Sequence, residues 1–299
     1  MIDFTNMPTR KKTYAGANGG KIAILYEGEQ YMLKFPAPPK RNPEMSYANG
    51  CISEYLGSHI FDMVGIPTQK TLLGTYTVNG KEKVVVACKD FTTHDTVLQD
   101  FASLKNTLIA STNNGYGTEL PEILEAIRDQ TAINPVELMR HFWDMFIVDA
   151  FIGNWDRHNG NWGFLYNSRT DEMTIAPVYD CGSCLYPQAD PSIMELTLED
   201  PTEMDLRIFE IPLSGIRLNG QKIKYYDFIS SLKYPGCNAA LKRVTPRVDM
   251  EQICELIDQT PYTTELQKRF YKTMLTVRKE RILDKALQLL RKRERALER

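Results

Sequence analysis

Gly153-Asn154-Trp155-Asp156-Arg157-His158-Asn159-Gly160-Asn161-Trp162 is the stretch from which the rest of the chain is best read. It follows a long apolar helix candidate, Pro135 to Ile152, and runs into a short strand candidate, Trp162 to Tyr166. Asp156 and Asn161 stand five positions apart, a turn length that can aim a carboxylate and a carboxamide oxygen into one cavity. Phosphoryl transfer needs such a pair: the carboxylate orients a hydroxyl and accepts its proton, and the amide oxygen holds a divalent cation. By itself the stretch also reads as a polar loop with Asn turns. A second motif, Pro177-Val178-Tyr179-Asp180-Cys181-Gly182-Ser183, decides between them. It sets Asp180 just past the strand candidate Met173 to Val178, where a carboxylate can ligate the metal that bridges phosphate oxygens. His158, between Asp156 and Asn161, is read as facing the phosphates or bracing the loop.

The front of the chain supplies complementary parts. Tyr14-Ala15-Gly16-Ala17-Asn18-Gly19-Gly20 is glycine-rich and opens onto a strand, so backbone N–H groups from Gly16 to Gly20 could approach phosphates. It lacks the GxxxxGK[ST] pattern and no helix follows, which excludes a Walker-type loop. Lys34 lies in the alternating strand Gln30 to Phe35, on the face opposite Tyr31, Leu33 and Phe35. A strand lysine often faces solvent. Here it precedes a helix candidate, Ser46 to Val64, whose apolar stripe carries Glu54 between Ile52 and Leu56. A Lys34–Glu54 pair holding an ammonium against nucleotide phosphates accounts for both placements. Val86-Ala87-Cys88-Lys89-Asp90-Phe91 then reads as a hinge, with adenine expected at Ala87 and Cys88.

The strand candidates Lys21 to Tyr26, Gln30 to Phe35, Thr71 to Val78 and Lys81 to Cys88, the last two joined by Asn79-Gly80, predict a mostly antiparallel sheet with one helix. Beyond Phe91 the pattern turns helical: Asp95 to Ser111, Pro121 to Gln130, Pro135 to Ile152 and a long segment over 263–297. Residues 190–250 show no clear pattern. The expected organisation is a small sheet lobe over 1–91 and a larger, mainly helical lobe over 92–299, an α+β fold.

Composition agrees with a packed globular enzyme: 299 residues, 42% hydrophobic and 25% charged, with 36 Lys and Arg against 38 Asp and Glu. A net charge of -2 speaks against direct nucleic-acid binding. Asp149 interrupts the longest apolar run, so no transmembrane segment is expected, and Met1 to Lys12 lacks the apolar core of a signal peptide. A cytoplasmic location, or export without such a signal, is the expectation. Cys181 and Cys184 have CxxC spacing but no second ligand pair nearby. They read as ordinary thiols beside a functional loop in preference to a zinc or redox site. His59, His94 and His141 share no metal-ligand spacing, and the basic end at Arg291, Lys292, Arg293 and Arg295 reads as a solvated helix terminus.

At these motifs, together with Met32-Leu33-Lys34-Phe35-Pro36, Asn49-Gly50-Cys51-Ile52-Ser53-Glu54-Tyr55 and Cys184-Leu185-Tyr186-Pro187, the sequence resembles the HipA-like kinases, most of all their compact CtkA-type members. The resemblance implies a protein-kinase-like two-lobed fold and ATP- and Mg-dependent serine/threonine kinase activity on a protein substrate and on itself. It implies Asp156 as catalytic base, Asn161 and Asp180 as metal ligands, Lys34 as the phosphate-binding lysine and Glu54 as its partner. A small regulatory or antitoxin partner occurs in the family. Larger members carry an additional N-terminal domain that this chain does not show, which puts such a partner in doubt here. Lys12-Thr13-Tyr14 stands where many members have a regulatory serine, so a self-modified position does not carry over. No Ala-Pro-Glu motif follows Asp180. Two other readings compete. One is a phosphoinositide-type lipid kinase, whose catalytic loop has a similar Asp-Arg-His-x-x-Asn pattern. The other is a non-catalytic ATP-binding module, against which the intact Asp156, Asn161, Asp180 and Lys34 argue.

Overall fold

The computed structural model describes residues 2–14, 20–37, 48–108 and 114–298. Strands β1 (Ile2–Asp3), β2 (Thr9–Arg10), β3 (Lys21–Tyr26), β4 (Glu29–Lys34), β5 (Thr71–Val78) and β6 (Lys81–Lys89) form one sheet in the order β1-β5-β6-β4-β3-β2. All neighbours are antiparallel except β1 and β5. The expected β5–β6 hairpin forms at Asn79-Gly80, where both residues have positive φ, the geometry that Asn-Gly tolerates. The two faces of β6 go to different places. Val85 and Ala87 pack with Phe4, Ile24 and Leu33. Val86 and Cys88 join the large core that includes α1 (Gly50–Met63). Burial on both faces explains the unbroken apolar run from Val84 to Cys88.

A second, three-stranded sheet has the order β7 (Thr96–Asp100), β8 (Gly163–Asn167), β9 (Glu172–Ile175). Here the structure corrects the expected helix Asp95 to Ser111. Its first turn and a half is β7, paired with β8 from Thr96↔Asn167 to Asp100↔Gly163, and among the described residues the helix is α2 (Phe101–Leu108). Tertiary pairing with β8 overrode a weak local preference.

The remaining elements are α3 (Leu120–Asp129), α4 (Pro135–Ile152), α5 (Pro191–Glu199), α6 (Pro201–Asp205), the hairpin β10 (Arg217–Leu218) and β11 (Gln221–Lys222), α7 (Tyr225–Ser230), α8 (Pro235–Val244), α9 (Met250–Gln259), α10 (Glu265–Arg278) and α11 (Lys285–Leu297). A π-helical turn at Lys279–Asp284 interrupts the long C-terminal helix expected over 263–297. Among the described residues, no helix is long and apolar enough to cross a membrane.

Helix α4 delivers the loop that follows it. Asn134 caps its start by accepting from Val136 N at 2.9 Å, and Pro135 takes the first turn, where no N–H is needed. It ends at Gly153, whose φ of 67° is a left-handed conformation that a side chain would strain. Its last carbonyls meet the buried Arg278, which donates to Ala150 O at 2.6 Å and Phe151 O at 3.1 Å. A guanidinium at a helix C-terminus satisfies the orphan acceptors and the dipole together.

Candidate active site

The cleft between the sheet and the helices collects Lys34, Glu54, Asp156, Asn161 and Asp180. Lys34 Nζ lies 2.8 Å from Glu54 Oε2 and 2.9 Å from Asp180 Oδ1. Strand alternation brings this about: Leu33 faces the outer cluster, so Lys34 faces α1. Glu54 is buried on α1, and its second oxygen accepts from Cys181 N at 3.0 Å. One carboxylate thereby fixes both the ammonium and the backbone that follows Asp180. Helix α1 comes close enough only because residue 57 is glycine. A Cβ there would stand 2.8 Å from Cys181 Cβ and Cys184 Sγ. Burial works against the charge on Lys34, but Asp180 and Glu54 outweigh it and raise its pKa well above the usual lysine value. The Lys34 charge in turn pulls Asp180 down to about 2, with Lys21 and Arg157 adding to the effect.

On the helical side, Asn161 Nδ2 donates to Asp156 O at 2.8 Å. With the amide nitrogen so engaged, the side-chain oxygen is the end left to meet a cation. Burial raises the Asp156 carboxyl, while the neighbouring His158 lowers it and Asp180 raises it further. His158 acts as a brace: its Nδ1 accepts from Gly160 N at 3.0 Å.

Several residues that the motif reading left without a role hold this arrangement. Arg157 Nε lies 3.0 Å from Asp149 Oδ2, both side chains being fully enclosed. Its Nη1 donates to Asn161 O at 2.7 Å and to Tyr179 O, the carbonyl just before Asp180. One guanidinium thus ties the Asp156–Asn161 loop to the Asp180 strand. Burial opposes the Arg157 charge, and the Asp149 carboxylate more than offsets it, so its pKa rises. Asn154 joins the same cluster: its Nδ2 donates to Asp149 Oδ1 at 2.9 Å, and its own oxygen accepts from Asp156 N at 3.2 Å. The available signal was Asp149, an acid inside the most apolar stretch of the helix, which needs a buried partner.

One expectation meets a geometric obstacle, and another falls mostly outside the described residues. Ala87 and Cys88 are fully buried and paired on both sides, with Leu33 and Leu72, and with Met32 and Thr71. Their backbone groups are already used in the ladders, so an adenine ring cannot bond to them. The chain leaves the sheet instead at Asp90–Thr92. There the enclosed Asp90 carboxylate accepts from Lys12 Nζ at 2.6 Å, Tyr14 Oη at 2.7 Å, Gln30 Nε2 at 2.7 Å and Thr92 N at 2.9 Å. Those bonds hold its pKa down at about 2 in spite of burial. The nucleotide-loop candidates Gly16, Ala17, Asn18 and Gly19 lie outside the described residues. Gly20 is described, and its carbonyl accepts from Phe35 N at 3.0 Å. The glycine-rich segment is therefore anchored on one side at Tyr14 and on the other at Gly20.

The CxxC thiols, Cys181 and Cys184, are free and buried. Burial pushes the Cys181 thiol up to about 12, far from the thiolate that metal binding or redox chemistry needs. No group of three or more His, Cys, Asp or Glu side chains could hold a metal among the described residues.

Four matches bear on this site. Residues 10–210 match the HipA-like C-terminal domain. The serine/threonine-protein kinase CtkA of Helicobacter pylori is 50% identical over 287 residues, covering 95% of this chain and 87% of that protein. The crystal structure of a Helicobacter pylori proinflammatory kinase, CtkA, superposes with a TM-score of 0.92 at 48% identity, covering 97% of this chain and 98% of the other. HipA of Shewanella oneidensis, solved with HipB and its operator DNA, shares the fold at a TM-score of 0.57 and 15% identity over 93% of this chain and 68% of that one. The cleft lies between a sheet carrying an ion-paired lysine and a helical lobe carrying the Asp156–Asn161 loop, and the matches span nearly the whole chain. The chain belongs to the HipA-like C-terminal domain family and is a serine/threonine protein kinase with the two-lobed kinase-like fold.

Proposed function

We propose that the protein transfers the terminal phosphoryl group of Mg-bound ATP to Ser or Thr hydroxyls of a protein substrate and of its own chain. The observation that carries this is the Lys34 ammonium bonded to both Glu54 and Asp180. It places a fixed cation beside a carboxylate that stays ionised at any working pH. The donors fit a magnesium ion. Asp180 and Asn161 offer hard oxygens, and two protein ligands suit a cation that completes its shell with phosphate and water. The half-exposed Asp180 leaves Oδ2 for that purpose, since Lys34 takes Oδ1. When bound, the ion would offset charge on the phosphate oxygens.

The remaining work falls to the chain. Lys34 orients the phosphates on the nucleotide side, and Glu54 keeps its ammonium in place. Asp156 holds the acceptor hydroxyl in line and receives its proton. The raised carboxyl of Asp156 brings it nearer to a useful base, while His158 keeps it from rising further. The Phe91 backbone, where the chain leaves the sheet, meets the base, and Gly20 together with Gly16, Ala17, Asn18 and Gly19 covers the phosphates. Intact mass after incubation with Mg-ATP tests the reading. The wild type should gain phosphate and Asp180→Ala should not. Equal gain in both, or phosphate found only on added phosphoinositide vesicles, would overturn it.

A further inference from the structure

The β10–β11 hairpin is fastened to the catalytic loop. Gly215 packs on Arg157 so tightly that a Cβ would come within 3.1 Å of Arg157 N and C. Ser214 N donates to Ile223 O at 2.9 Å and Ile223 N to Ile216 O at 3.1 Å, closing the hairpin base. Tyr225 hydroxyl donates to Asn154 O just beyond it. The tip turns at Asn219-Gly220, both with positive φ, and Gly220 N donates to Glu119 Oε1 at 2.9 Å. Arg217 N donates to Thr118 O at 2.8 Å. The neighbouring Gly115 and Gly117 carbonyls accept from Asn159 Nδ2. Tyr116, 53% exposed, lies along Gly160, with a ring carbon 3.1 Å from where a Cβ would sit. Hairpin and segment together form a lip packed on the Asp156–Asn161 loop at Arg157, Asn159 and Gly160.

The charges on this lip are unusual. Arg217 stands directly opposite Lys222 in the ladder, so the two side chains share a face. Like charges placed so are destabilising. Both residues are exposed, and neither forms an ion pair among the described residues. Among the described residues, the Arg217 guanidinium donates only to Gly220 O of its own hairpin. The adjacent acids are engaged elsewhere: Glu119 holds Gly220 N, and Glu210 pairs with Lys224 at 2.5 Å. The Lys222 charge is close enough to act on the Asp156 carboxyl.

We propose that Arg217 and Lys222 are an acceptor-docking pair that receives acidic side chains flanking the Ser or Thr to be phosphorylated. The kinase therefore selects acidic peptides. This rests on the protein-kinase reading above and adds its substrate class. Two unbalanced cations on a preorganised hairpin beside the base complement a carboxylate at little ordering cost.

The test uses the full chain and two fluorescein-labelled peptides with one central Ser, flanked by Glu in one and by Gln in the other. Anisotropy reads affinity and phosphate release into product reads KM and kcat. The Glu peptide should bind more tightly, with a preference of about 5-fold or more that weakens with salt. Arg217→Ala with Lys222→Ala should bring the two KM values together, and Lys222→Glu should turn the preference toward a Lys-flanked peptide. A wild type that binds both peptides equally overturns the proposal while leaving the kinase reading intact. So does a double variant that loses kcat on both peptides with their KM ratio unchanged, which would place the pair on the transferred phosphoryl group. Preferential Glu-peptide binding without any turnover would sustain the docking pair and sink the kinase reading instead. Melting curves that coincide for wild type and variants separate a lost contact from a lost fold.

Discussion

Two cation-centred clusters meet at one cleft and are built to opposite ends. Around Arg157 everything is closed: its side chain and that of Asp149 are each 2% exposed, and its donors reach Asp149, Asn161 O and Tyr179 O. Around Lys34 one side is left open. Glu54 is 3% exposed, but Asp180 is 43% exposed and keeps one oxygen for another partner. The closed cluster sets geometry and the open one is available for chemistry. A buried pair with all donors satisfied tolerates no ligand, whereas a charge left half-paired at a cleft retains the capacity to bind one.

The sharpest way to test that division is to remove the open carboxylates. Asp180→Ala and Asp156→Asn should each lower phosphate transfer by about 10²–10⁴-fold, with the thermal midpoint nearly unmoved. Rates come from radiolabelled phosphate incorporation and midpoints from calorimetry. A variant that unfolds instead would move Asp180 into the structural class. The closed cluster should answer the other way. Arg157→Met leaves the Asp149 carboxylate buried without its partner and should cost about 3–5 kcal/mol of stability in urea titrations. Activity is then lost as a consequence. If that variant keeps full stability, the distinction between the clusters fails.

Glu54 belongs to both worlds, since one oxygen holds Lys34 and the other Cys181 N. Glu54→Gln keeps the shape and removes the charge. It should weaken nucleotide binding and turnover by about 10-fold, roughly the worth of one charge-assisted hydrogen bond, read by calorimetric titration with a non-hydrolysable nucleotide. The smallest effect expected is a pH dependence that belongs to the closed side. Burial, with the charge of Arg157 behind it, lowers His141 from 6.5 to about 4. The folded state therefore keeps this ring neutral where the unfolded chain would protonate it. Its contribution is complete above pH 6.5 and fades as pH falls from 6.5 toward 4. Urea midpoints between pH 7 and 5 should fall more steeply for the wild type than for His141→Gln. Parallel slopes would show that His141 does not feel the cluster.

Much of the site was legible because kinase chemistry demands particular side chains at short spacing. Asp156, Asn161 and Asp180 were read as candidates from motif and position, and Lys34 and Glu54 from strand and helix periodicity. The Lys34–Glu54 ion pair forms at 2.8 Å, as expected. The adenine contact was expected at Ala87 and Cys88 because a strand's end cannot be read from its apolar run. Val84 to Cys88 looks the same whether or not both neighbours are present, and only the pairing of Cys88 with Met32 and Thr71 shows that the sheet has not yet ended. β7 was hidden for the same reason, since its partner β8 lies more than sixty residues on. The stretch over 190–250 gave no pattern because its short helices and the β10–β11 hairpin are held by contacts with distant elements, Thr118 and Glu119 among them.

By itself the sequence determined the chemistry: which carboxylates, amide and lysine are present, and the local periodicities that put them on a strand, a helix and two turns. These depend on residues within a few positions of each other. The tertiary structure alone decided what faces what. It buried Asp149 against Arg157, ended β6 at Lys89, fastened Asp90 to Lys12 and Tyr14, and set Arg217 opposite Lys222. Each of those outcomes joins groups far apart in the chain, where burial and electrostatics act through space and leave no local signature.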